Sequence, residues 1–149
     1  MGHGLALVFA GGGHDVAVTD AYAETLSTVK TRVAETLKFL GWDEAAVERV
    51  TPNASLEAAV SDAAFVLEAA PEKLELKQQL FEQIEAAAPT DAILASNTSV
   101  IPITKIIAGL KHKHRALGTH WWNPPFLVPL VEVIQTEDTS MDEIGRAHV

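Results

Sequence analysis

The sequence has no cysteine among its 149 residues. That excludes a disulfide framework, a thiolate zinc site and a cysteine nucleophile. Basic residues are few: 11 Lys+Arg stand against 20 Asp+Glu, for a formal net charge of −9. Duplex nucleic acid is therefore not an expected partner, since its affinity comes mostly from Lys and Arg neutralising phosphates. No apolar run approaches the roughly 18–20 residues that span a bilayer, and no charged-then-apolar signal peptide opens the chain. What is present argues for a core. Hydrophobic residues make up 48% of the chain, too many for general disorder, and the length suits one domain of about 100–200 residues. The expectation is a soluble, cytoplasmic α/β domain.

Strand-like and helix-like patterns alternate along the chain. Residues 4–10 read as an amphipathic helix stopped by Gly11-Gly12-Gly13, one of which can adopt the left-handed cap conformation. Asp15 to Asp20 read as a short strand ending in a carboxylate. A long helix is expected over 21–40, with Leu26, Val29, Val33, Leu37 and Leu40 at spacings of three and four. Gly41 and Trp42 end it. A shorter helix near 43–48 leads to a weak strand at 48–51 and a turn at Pro52-Asn53. Ala63 to Glu68 is an apolar run long enough for a strand buried on both faces. Pro71 opens a helix over 72–88, with a stripe of Leu76, Leu80 and Ile84 broadened by Phe81. Further strands are expected at 92–95, 115–119 and 129–135, with a short helix at 102–109. Such alternation implies crossover units and a mainly parallel sheet. The domain is expected to end near residue 143. Residues 144–149 do not continue its pattern, resemble a translated sequencing adapter, and are read as a non-native tail.

In an open parallel sheet, ligands sit outside the carboxyl ends of the strands. Asp20, Glu68, Ser96 to Ser99 and His120 all fall at such ends. Asp20, a carboxylate closing the second strand of a dinucleotide-binding pattern, can accept a hydrogen bond from a ribose 2′-hydroxyl. No Arg follows it, which favours NAD over NADP. Gly2 and Gly4 read either as the remnant of a glycine-rich loop or as close-packing helix residues. His120 and Glu132 lie 12 residues apart around Pro124-Pro125. An antiparallel hairpin would bring the carboxylate alongside the imidazole, holding one tautomer and stabilising its protonated form. The other reading is a solvent-facing Glu and an unrelated His. Trp121-Trp122 suit either a stacking surface or a plug at the core edge. His112 and His114, within the basic cluster Lys111 to Arg115, read as a solvated loop, and no metal site is expected. The acidic residues of 72–85 read as the wet face of a helix, except Glu72 near the strand-to-helix turn.

These residues carry a family resemblance. Met1 to Ala6, Val16 to Asp20, Phe65 to Glu72, Leu94 to Ser99, His120 to Pro125 and Pro129 to Val133 are similar to the NAD-binding domain of the 3-hydroxyacyl-CoA dehydrogenase family. The resemblance implies a Rossmann-like, doubly wound, mainly parallel sheet. It implies NAD-dependent oxidation of an L-3-hydroxyacyl-CoA, such as 3-hydroxybutyryl-CoA, to the 3-oxoacyl form, a reaction of fatty-acid β-oxidation. His120 would be the general base and Glu132 its orienting partner. Ser99 and Asn123 would hold substrate oxygens, and Gly2, Asp20, Glu72, Lys77, Asn97 and Ser99 would contact NAD. The family usually has paired phenylalanines where this chain has Trp121-Trp122, and a serine where it has Val100. The stretch from Pro125 to Leu130 leans toward relatives acting on free hydroxy acids, of the L-carnitine or L-gulonate kind. A crystallin-like, non-catalytic protein is the reading from another class.

Against that family pattern the chain lacks the first strand and the C-terminal helical domain, through which a parent protein would form a homodimer. A missing central strand leaves two edges with unpaired polar groups at roughly 1–3 kcal/mol each, against a typical net stability of about 5–15 kcal/mol. The expectation is that 149 residues alone neither fold stably nor bind NAD. A cooperative melt that rises on adding NAD would refute it.

Overall fold

The computed structural model describes residues 1–147. The chain divides into two compact units. Residues 1–59 and 122–129 form the first; residues 60–121 and 130 onward form the second.

The first unit opens with α1 (Gly2–Gly11), which starts two residues earlier than the sequence pattern suggests. The glycine run ends it: Gly12 remains right-handed, and Gly13 takes the positive φ of +93°. Next come β1 (Val16–Val18), α2 (Ala23–Ser27) and α3 (Val29–Leu40). The single helix expected over 21–40 is thus two. The Ser27 and Thr28 hydroxyls donate to the carbonyls of Glu24 and Thr25, offering the backbone an alternative to the helical ladder at the junction. Gly41 closes α3 in the left-handed conformation. A 3₁₀ helix (Glu44–Arg49), capped by Asp43, leads into β2 (Val50–Pro52), which pairs in parallel with β1. Val29, Val33 and Leu37 are buried together with Leu7, Ala10 and Val50, and Phe126 of the 122–129 loop packs on the same core. A short helix, α4 (Leu56–Val60), follows β2.

The second unit holds β3 (Phe65–Glu68), α5 (Leu74–Ala87), β4 (Ile93–Ser96), α6 (Ile103–Ile106), β5 (Ala116–Trp121), β6 (Val131–Ile134) and α7 (Met141–Arg146). Its sheet runs β3-β4-β5-β6, with the first two pairings parallel and β5–β6 antiparallel. β4 is buried along its whole length. β3, expected to be buried on both faces, is only half-buried from Phe65 to Leu67. It is an edge strand of this sheet among the described residues, so it lacks the flanking cover of a central strand.

Helix α5 also departs from its expected stripe. It begins at Leu74, with Lys73 at its N-cap, because the turn through Pro71 is closed by the Lys73 amide donating to the Pro71 carbonyl. Its fully buried residues are Lys77, Phe81 and Ile84, a face displaced from the Leu76–Leu80–Ile84 row. A lysine takes a core position because its charge is paired there. Two more polar residues leave solvent against expectation, Glu85 in part and Arg115 fully. Glu85 accepts the amides of Lys111 and His112. Arg115, expected in a solvated loop, is 1% exposed and donates to the carbonyls of Glu85, Pro89 and Ala92, satisfying acceptors at the end of α5. Residues 144–147, expected within an appended tail, lie in or next to α7. Ile144 and Ala147 rest against Ile93, Ala95 and Leu117, a placement that has no bearing on the tail's origin. His148 and Val149 lie outside the described residues.

Candidate active site

The carboxyl ends of β3, β4 and β5 carry the polar residues of the second unit. β5 and β6 are joined by a reversal through Pro124 and Pro125, and their register sets Gly118 opposite Ile134, Thr119 opposite Val133 and His120 opposite Glu132. Residues directly opposite in an antiparallel pair project on the same face. His120 Nδ1 therefore lies 2.6 Å from Glu132 Oε2. The imidazole is mostly covered, at 22% exposed, while the carboxylate is 52% exposed. Such a pair fixes the tautomer and ring orientation and stabilises an imidazolium when one forms.

The turn after β4 is held from two sides. Asn97 Oδ1 accepts the amide of Trp121 at 2.8 Å, which ties the turn to the residue beside His120. Glu72, in the β3–α5 connection, accepts the Ser99 amide at 2.6 Å and the Thr98 hydroxyl at 2.9 and 3.0 Å. Partial burial raises the Glu72 pKa, but the Ser99 amide, the Thr98 hydroxyl and Lys77 outweigh it and hold the carboxyl below its ordinary value. Ser99 itself is exposed, beside an apolar recess of about 200 Å³ lined by Val100, Ile101, Pro102 and Ile134.

Behind Glu72 lies a buried ion pair that sequence reasoning did not assign. Lys77 is 1% exposed; its Nζ donates to Glu68 Oε1 at 2.8 Å and to the Ala70 carbonyl at 3.0 Å, and lies 3.6 Å from Glu72 Oε2. The Ser96 hydroxyl donates to Glu68 Oε2 at 2.6 Å. The only sequence signals were a carboxylate ending an apolar strand and a lysine on the apolar side of the next helix.

The remaining candidates fall in the first unit. Asp20 is exposed just beyond β1, and its Oδ1 accepts the Tyr22 amide at 2.8 Å. Gly2 begins α1, whose N-cap Met1 makes no side-chain capping bond. A Cβ at Gly2 would meet nothing within 4 Å, whereas one at Gly4 would approach Pro125 Cγ to 3.0 Å. Gly4 thus has a packing reason, and Gly2 leaves open space at an uncapped helix start. Asn123 sits on the exposed loop after β5. An uncapped helix N-terminus suits phosphate oxygens, and a carboxylate beyond the neighbouring strand suits a ribose hydroxyl. The residues present fit NAD.

The family model described as "3-hydroxyacyl-CoA dehydrogenase, NAD binding domain" matches residues 1–148. The chain belongs to the 3-hydroxyacyl-CoA dehydrogenase family. L-carnitine dehydrogenase of Streptomyces griseus is 38% identical over 153 residues, covering 98% of this chain and 46% of that protein. The mitochondrial hydroxyacyl-coenzyme A dehydrogenase of Rattus norvegicus is 37% identical over 153 residues, covering 94% of this chain and 49% of that protein. The crystal structure of 3-hydroxybutyryl-CoA dehydrogenase from Escherichia coli K12 superposes with a TM-score of 0.90 at 33% identity, over 98% of this chain and 32% of that one. The chain spans about half the length or less of the relatives it matches. What this 3-hydroxyacyl-CoA dehydrogenase domain shares with them is the Rossmann-like α/β architecture and the NAD-binding assignment. Among the described residues no helix is long and apolar enough to cross a membrane.

Proposed function

We propose that the full-length protein carrying this domain is an NAD-dependent dehydrogenase that oxidises the 3-hydroxyl of an L-3-hydroxyacyl-CoA, or runs the reverse reduction. The observation that carries the reading is the His120–Glu132 pair, set in register across β5 and β6 with Nδ1 and Oε2 2.6 Å apart. Nδ1 is engaged by the carboxylate, and Nε2 is the nitrogen assigned to the substrate proton. His120 takes the 3-hydroxyl proton as a carbonyl forms, and Glu132 stabilises the resulting imidazolium. Bound NAD supplies the hydride acceptor. Ser99 and Asn123 hold substrate oxygens; Asp20 and Gly2 serve the adenosine and diphosphate side; Glu72, Asn97 and Ser99 serve the nicotinamide side. Lys77, being buried, acts through Glu72. A homodimer working in the cytoplasm, joined through a C-terminal helical domain, completes the proposal.

A second reading, a dehydrogenase of a free hydroxy acid, is favoured by the match to L-carnitine dehydrogenase at 38% identity and by the stretch from Pro125 to Leu130. One assay separates the two. NADH absorbance is followed with the full-length protein, offered acetoacetyl-CoA and then 3-dehydrocarnitine. Turnover of the thioester alone supports the proposal, and turnover of the free acid alone moves the protein to the second reading. Silence on both revives the non-catalytic, crystallin-like reading.

A further inference from the structure

Glu68 is a buried, multiply bonded side chain of the second unit that the catalytic assignment does not use. It ends β3, is 5% exposed, and accepts from the Ala70 amide, from Lys77 Nζ at 2.8 Å and from the Ser96 hydroxyl at 2.6 Å. A carboxylate is seldom this deeply buried unless paired, and a buried ion pair is weak evidence for stability, since apolar residues of similar volume often serve as well. Its neighbours suggest a use beyond stability. Lys77 bridges Glu68 to Glu72, and Glu72 carries the Ser99 amide and Thr98 hydroxyl. The Ser96 hydroxyl bonded to Glu68 accepts the Thr98 amide, and the Asn97 amide donates to the Glu68 carbonyl. Every residue of the 96–99 turn is therefore tied to Glu68 directly or through Lys77 and Glu72.

We propose that Glu68 is a positioning residue. Through Lys77 it fixes the Glu72 carboxylate, and through Ser96 it fixes the turn that presents Asn97 and Ser99 to the nicotinamide side of the cofactor. The inference rests on the proposed dehydrogenase reading. It follows that the pair is kept for geometry: removing both charges should spare the fold and still loosen the turn.

The test uses the full-length protein in two variants, Glu68→Gln and the double exchange Glu68→Leu with Lys77→Met. The single variant leaves a buried lysine with a weaker partner and lowers the melting midpoint. The double variant removes both buried charges, so it stays folded and melts above the single variant, but below wild type, because the Ser96 hydroxyl and the Ala70 amide lose their acceptor. Amide hydrogen exchange without cofactor is the first readout. In the double variant the Ser99 amide should exchange about tenfold faster or more, the size expected for weakening one charge-assisted hydrogen bond, while the β4 amides stay protected. The second readout is steady-state kinetics, where KM for NADH should rise about tenfold with a smaller change in kcat. A merely structural Glu68 would move the melt and, in folded protein, neither the Ser99 exchange nor KM. Wild-type Ser99 exchange and KM in a folded double variant overturn the inference alone. A wild-type protein that turns over neither substrate overturns the dehydrogenase reading, and the claim about the cofactor with it.

Discussion

Replacing Glu132 by Gln removes one charge from the His120 pair. The amide oxygen can still accept from Nδ1–H, so tautomer and ring orientation persist, and only the electrostatic support of the imidazolium is lost. Its size follows from the geometry. With Nδ1 and Oε2 2.6 Å apart, the charge centres lie roughly 4 Å apart, which corresponds to about 1 kcal/mol in bulk water and about 4 kcal/mol at an effective dielectric constant of 20. Glu132 is 52% exposed and His120 22%, so solvent screening places the pair toward the weaker limit, at about 1–2 kcal/mol. At 1.36 kcal/mol per factor of ten, kcat should fall roughly 5- to 30-fold. The ~10⁴-fold loss when a triad carboxylate becomes an amide comes from the wrong histidine tautomer, which an accepting Gln oxygen avoids. The assay is steady-state oxidation by the full-length protein, with KM for NADH as the control that the cofactor site is intact. A change under twofold would show that Glu132 does not support the transition state. A loss above about 10³-fold would show that the screening argument is wrong and that the site is sealed from water during turnover.

Two further predictions concern the frame around the pair. Gly118 lies in β5 opposite Ile134, and a Cβ there would come 2.9 Å from Ile103 Cδ1 and 3.1 Å from Ile134 Cβ. The Ile103 tip can turn aside but the Ile134 Cβ is fixed to β6, so Gly118→Ala should cost about 1–2 kcal/mol and lower Tm by roughly 2–8 °C; an unchanged thermal melt would contradict the packing. Glu85 is the acid-sensitive brace of the other end of the sheet. Partial burial raises its pKa, but the Lys111 and His112 amides and the charges of Arg115 and His112 bring it below the ordinary 4.5. A carboxyl depressed in the folded state contributes stability that is present above its unfolded pKa and lost as pH falls through the folded value. Glu85→Gln should therefore destabilise by about 1–3 kcal/mol near neutrality and converge on wild type as pH falls through the lowered folded-state value. Parallel urea curves at all pH values would contradict the assignment.

The parts legible in the sequence were those written as local patterns. Alternating apolar runs gave the strand–helix succession, and two prolines followed by an apolar segment gave the hairpin that sets Glu132 opposite His120. What the sequence hid were long-range polar pairings. Lys77 in a helix and Glu68 at a strand end are nine residues apart, and no periodicity marks them as partners; a lysine on a helix reads as solvated until a buried carboxylate claims it. Arg115 and Glu85 misled in the same way: a run of basic residues and an acidic helix look like wet surfaces, yet the Arg115 guanidinium meets the Glu85 carbonyl and the Glu85 carboxylate meets the Lys111 and His112 amides. The helix break at Thr28 was hidden by hydroxyls that compete with the backbone for the same carbonyls. For Lys77, Glu85 and Arg115 the error came from assuming that charge means solvent. That assumption fails where turns and helix ends leave backbone groups unpaired, which is also where an α/β domain of this kind places its chemistry.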